Sequence, residues 1–132
     1  MPALEPIVGV RVVGAAGSID GAVWVPSTGT RVWRTAPDEA FAWQPGATVS
    51  VTVDDPDAIV EPEHGFVAAT LSAADVAWVG RHVEIPLPTD LPALVQGKIA
   101  GVPARLGLLP DGSGVLLVHT AYADELGRRL RW

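Results

Sequence analysis

Fourteen glycines and twelve prolines fill about one position in five of this 132-residue chain, and they limit its fold more than any other feature. Proline removes a backbone donor, and glycine costs entropy inside regular elements, so frequent placement of both cuts helices and strands short. The chain therefore reads as many short elements joined by turns, not as a helical bundle. Hydrophobic residues make up 48% of it and charged residues 18%. That is too apolar and too sparsely charged for disorder, and the length suits one compact domain over 1–132.

The formal net charge is −6. This balance opposes adhesion to phosphate backbones and anionic lipid, so neither nucleic acid nor a membrane is an expected partner. No apolar run approaches the roughly 18 residues of a membrane span. The first residues, with Glu5 and Pro6 ahead of the apolar run, do not read as a secretory signal, and a cytoplasmic location is the default expectation. Cysteine is absent, which excludes disulfides, thiol catalysis and thiolate metal sites.

Period-two alternation marks strands at Ile7 to Val13 and, most clearly, at Ala47 to Val53, where Val49, Val51 and Val53 are expected inward and Thr48, Ser50 and Thr52 outward. Further strands are expected over Ala22 to Val25, Thr30 to Arg34, Phe66 to Leu71 and His82 to Leu87. Gly14 to Gly21 reads as a turn region. Thr35-Ala36-Pro37-Asp38 resembles a helix start, and Ser72-Ala73-Ala74-Asp75 a capping box for a helix through Val79. A short helix is also expected around Leu91 to Gln96. Pro103 to Leu109 and Gly114 to His119 read as a hairpin around Asp111-Gly112. A C-terminal helix is expected over 120–132, capped by Thr120, with Tyr122, Leu126 and Leu130 on one side.

This inventory predicts a mainly antiparallel α+β fold, with a strongly curved sheet or partly open β-barrel and short helices. The alternative is a two-sheet β-sandwich.

No phosphate loop, dinucleotide fingerprint, metal-binding helix or nucleophile elbow occurs. Neither a cofactor nor a metal is expected. Two groups of residues are candidates for ligand or partner binding. The first is the acidic, proline-containing loop expected over 54–65, with Asp54, Asp57, Glu61, Glu63 and His64. The second is Trp33 beside Arg31 and Arg34, an aromatic with two cations that could meet an anion, a flat ligand or a protein surface. His119, at the end of an apolar run, could face a pocket. The functional expectation is a noncatalytic β-rich protein-interaction or structural module that self-associates or meets another protein. The alternative is a small-molecule enzyme or ligand-binding protein with a site at the mouth of the curved sheet, pairing His119 with an acid of the 54–65 loop.

Overall fold

A computed structural model describes residues 2–132; Met1, the first residue of the domain expected over 1–132, lies outside the described residues. The fold is mainly antiparallel β with a few short helices. Backbone contacts group the chain into two compact units, Ile7–His64 and residues 2–6 with Gly65–Trp132.

In the first unit, β1 (Glu5–Val13), β3 (Arg31–Ala36) and β4 (Glu39–Trp43) form antiparallel ladders in the order β3-β4-β1. β2 (Val23–Val25) and β5 (Ser50–Thr52) make a separate two-stranded sheet. Val12, Ile19 and Ala40 form a small core, with Trp24, Val51 and Val53 packed on it. The alternation expected around β5 is present: Val49 is buried and Val51 and Val53 are half-buried, whereas Thr48, Ser50 and Thr52 are exposed. The turn region contains a short helix, α1 (Ala16–Asp20).

Thr35 to Asp38 does not start a helix. It completes β3 and turns through Pro37-Asp38 into β4, with Ala36 opposite Glu39. The Thr35 hydroxyl donates to the Glu39 carboxylate at 2.6 Å, a contact within the hairpin and not a helix cap. The sequence could not distinguish these because Thr and Pro serve both roles.

Close approach decides one glycine. A Cβ on Gly9 would lie 2.7 Å from Phe41 Cε2 and 3.1 Å from the Ala42 carbonyl oxygen. Phe41 is 1% exposed and cannot swing into solvent without leaving its packing. Gly9→Ala is therefore expected to destabilise the protein by about 1–3 kcal/mol through overpacking. Gly97→Ala, with nothing within 4 Å of the added carbon, should stay near wild type. Urea midpoints for the two variants check this; equal midpoints would refute it.

β6 (Ile59–Leu71) is one continuous strand whose residues fall in both units. In the second unit its later part pairs with β9 (Gly114–His119), followed by β8 (Val102–Leu108) and β7 (Ala93–Ile99), all antiparallel. One sheet face carries Val67, Leu71, Leu116, Val118, Leu106 and Ile99 into a core shared with Val79, Leu126 and Leu130. The last three come from α2 (Ala73–Gly80), α3 (Ala123–Arg129) and the residue that caps α3.

Ser72 and Asp75 form the expected capping box: the Asp75 N–H donates to Ser72 Oγ at 3.1 Å and the Ser72 N–H to Asp75 Oδ2 at 2.9 Å. The Trp78 indole N–H donates to the Leu130 carbonyl at 2.8 Å and ties α2 to the chain end. The expected β8–β9 hairpin is present, with Asp111 Oδ1 accepting from both the Ser113 hydroxyl and the Ser113 N–H. This holds Asp111 below the ordinary carboxylate range, the hydroxyl contributing most.

Two expected elements here exchange character. The strand expected over His82 to Leu87 is irregular, and the helix expected around Leu91 to Gln96 is replaced by β7. Pro86 removes a donor within the first stretch and Pro88 another just after it. Seven residues of β7 instead find partners on β8, from Ala93 opposite Leu108 to Ile99 opposite Val102. Tertiary pairing thus outweighs the local helical signal. No described helix is long and apolar enough to cross a membrane.

Candidate functional site

The acidic stretch is partly strand. Only residues 53–58 lie outside regular structure; Ile59 onward belongs to β6, so Glu61, Glu63 and His64 stand on a strand and not in the loop expected over 54–65. Proline lacks an N–H and its ring clashes with the carbonyl four residues back in a helix, which excludes it from helix interiors more strongly than from extended chain, so Pro62 is compatible with this.

Two of these carboxylates, Glu61 and Glu63, meet a cation of the same unit. Arg11 on β1 reaches Glu61 at 3.1 Å, Glu39 at 3.2 Å and Glu63 at 3.6 Å. The hydrogen bonds that the guanidinium donates to Glu61 and, next, to Glu39 raise its pKa above the ordinary value. The three partners of Arg11 are 28 to 52 positions away in sequence.

Asp54 and Asp57 belong to a different arrangement. The Asp54 carbonyl accepts from the Ser18 hydroxyl at 2.8 Å. Between them, Asp55 accepts the Ala15 N–H at 2.8 Å and the Asp57 N–H at 2.9 Å. The loop therefore satisfies backbone donors ahead of α1 and within itself. Among the described residues no three His, Asp or Glu side chains converge as metal ligands.

The two amide donors, Ala15 first, lower the Asp55 pKa below its ordinary 3.8. A depressed folded-state pKa means that the bond contributes above the unfolded pKa and is lost as pH falls through the folded one. The Ala15 and Asp57 amide resonances are accordingly expected to titrate together with a midpoint below 3.8, and Asp55→Asn should abolish that titration. A shared midpoint above 3.8 would contradict it.

Trp33, Arg31 and Arg34 do not form one cluster. Arg31 and Trp33 face the same side of β3, opposite Trp43 and Phe41, while Arg34 points to the other side. The Trp33 ring stands edge-on against Trp43 at 4.6 Å and 84°. Arg34 binds Asp20 at 2.6 Å and the carbonyls of Ala16, Ala36 and Pro37. Its guanidinium thus ties α1 to the β3–β4 turn. His64 is exposed on β6.

His119 belongs to the most distinctive polar surface. Phe66 on β6 lies directly opposite it, and their rings meet edge-on at 5.6 Å. Leu117, two residues back on the same face, is opposite Arg105 on β8, and Arg105 is opposite Gln96 on β7. Lys98 and Pro103 extend this row. The register therefore draws Phe66, His119, Arg105, Gln96 and Lys98 from four strands onto the sheet face opposite the core. The Arg105 guanidinium lies 5.4 Å from the Phe66 ring centre, in cation–π range.

A 3-10 turn (Thr120–Tyr122) then brings Tyr122 to 6.0 Å from the His119 ring. His119, not Thr120, caps this turn: its Nδ1 accepts the Ala121 N–H at 3.3 Å, which leaves Nε2 to carry the proton of the neutral ring. Together these side chains border an open cavity of about 440 Å³. Its lining includes Lys98, Arg105, His119, Phe66 and Tyr122 but no Asp or Glu, although the chain carries 15 acids against nine bases.

Of this group the sequence pointed only to His119. Phe66, Lys98 and Arg105 lie 53, 21 and 14 positions from it, and strand register was the missing information. A second groove of about 470 Å³ lies between residues 83–88 and β7 and is lined mainly by apolar side chains, including Val83, Ile85 and Leu94.

No known protein-family model matches the sequence, and no curated protein matches it significantly.

Proposed function

We propose that this chain is a noncatalytic recognition module that holds an anionic partner against the face formed by Phe66, His119, Tyr122, Arg105 and Lys98. The observation that carries the reading is the composition of that cavity: two cations, a histidine and two further aromatic rings, with no carboxylate, in a protein of net charge −6. Aromatic faces supply apolar contact, and the cations supply orientation and charge selection. A volume near 440 Å³ falls within the range of specific ligand sites.

A fluorescein-labelled peptide of alternating glutamate and tyrosine tests this. Anisotropy should show saturable binding that weakens with added salt and disappears in the Lys98→Glu/Arg105→Glu variant. Equal binding by wild type and that variant would remove the cavity from the reading.

Self-association is a second reading, favoured by Val23 and Val25, which are 60% and 58% exposed on the two-stranded β2–β5 sheet. A second copy covering those side chains would bury apolar surface and one sheet edge together. Sedimentation equilibrium decides it. A single 13.8 kDa species up to several hundred micromolar, roughly the range in which micromolar interfaces reveal themselves, would overturn it.

A further inference from the structure

Resting on the reading of an anion-binding face, we infer that the cavity bordered by Phe66, His119, Tyr122, Arg105 and Lys98 takes a planar aromatic carboxylate as a small-molecule ligand. Phe66 and His119 are edge-on at 5.6 Å, and His119 and Tyr122 are tilted by 58° at 6.0 Å. Three rings in series, none parallel to the next, present both faces and edges to a flat guest. Leu117, Pro103 and Ala104 add apolar floor and wall. Such a surface rewards a ring and gives a compact tetrahedral anion little to contact.

The charge comes from Lys98 and Arg105, which occupy adjacent strands on the same face. Their tasks differ. Arg105 sits over the Phe66 ring at 5.4 Å, so its guanidinium is part of the aromatic surface. Lys98 is exposed, lines the cavity and is the sole lysine of the chain. Its ammonium is a mobile point charge able to meet a carboxylate on the rim while the ring lies inside. One ring system with one carboxylate matches this division: apolar area for the aromatic series, one negative charge for the rim. The cavity, at about 440 Å³, has room for one or two fused rings.

The test is a titration of the full chain, followed by amide resonances, with sodium 2-naphthoate, its neutral analogue 2-naphthylmethanol, and inorganic phosphate, each at the same ionic strength. The expected result is saturable shifts at Phe66, Lys98, Arg105, His119 and Tyr122 with 2-naphthoate. The neutral analogue should bind about tenfold more weakly, the effect of losing one charge-assisted contact. Lys98→Gln, a change at an exposed side chain, should weaken 2-naphthoate by a similar factor while leaving the thermal midpoint unchanged.

Equal affinity for 2-naphthylmethanol would overturn the inference, because charge would then play no part. Phosphate binding as tightly as 2-naphthoate would overturn it too, leaving an anion site without ring selection. If 2-naphthoate causes no saturable shift while the glutamate–tyrosine peptide still binds, the small-molecule inference falls alone. If neither binds, the recognition reading falls with it.

Discussion

Replacing Trp43 with alanine is expected to lower the stability of the protein by about 3–5 kcal/mol, the cost of emptying an indole-sized volume in a packed interior. Trp43 is the largest fully buried side chain, 1% exposed. Its ring stands nearly perpendicular to that of Trp33, with centres 4.6 Å apart, and lies 5.6 Å from Phe41. Aromatic pairs of this kind add to the area they bury. Trp33→Ala removes a ring that is only partly buried and should cost less. Urea unfolding with an unchanged slope would report the difference as stability alone. A loss below about 1 kcal/mol for Trp43→Ala would mean that its surroundings collapse to fill the space. A domain of this size has roughly 5–15 kcal/mol in total, so the expected loss approaches the threshold of unfolding.

Leu126→Ala is expected to cost about 2–5 kcal/mol, whereas Tyr122→Ala should fall within about 0.5 kcal/mol of wild type. Both belong to the four-residue series Tyr122, Leu126 and Leu130, yet the two leucines are completely buried and Tyr122 is 43% exposed. The leucines enter the core with Leu106, Leu116 and Val79. Tyr122 ends the 3-10 turn before α3 begins and turns toward His119. Guanidinium unfolding of the two single variants separates a structural residue from a surface residue within one apparent stripe. Similar losses for both would show that the stripe acts as one packing face.

Elements whose signals are local were readable in the chain. The Ser72–Asp75 capping box, the β8–β9 hairpin and the valine alternation at 49–53 each depend on residues within a few positions, and each is present. Ambiguous cues were resolved by partners far away. Thr35-Ala36-Pro37-Asp38 has helix-start chemistry, but a hairpin partner in β4 claims it. Thr89 and Asp90 have the chemistry to cap a helix around Leu91 to Gln96, but β8 supplies a ladder for Ala93–Ile99.

The candidate site shows the same limit. His119 could be singled out as a polar residue ending an apolar run. Nothing in sequence says that Phe66 is its cross-strand neighbour or that Arg105 stands two strands further along from Phe66. The acidic stretch was conspicuous for its density, yet Arg11 engages Glu61 and Glu63, and Asp55 serves nearby backbone amides. Charge density is a property of the chain, whereas charge compensation belongs to the fold.

The bond from the Trp78 indole to the Leu130 carbonyl spans 52 positions at 2.8 Å, and the His82 ring stands 5.0 Å from the same indole. The molecule thereby carries a built-in spectroscopic reporter on its own terminus. While the last helix is docked, the Trp78 side-chain proton is held in a hydrogen bond, and its exchange with solvent is expected to be slow. Undocking releases it, even if the sheet beneath stays intact. Loss of that one resonance ahead of the strand amides would thus mark fraying of the chain end as a separate event from global melting.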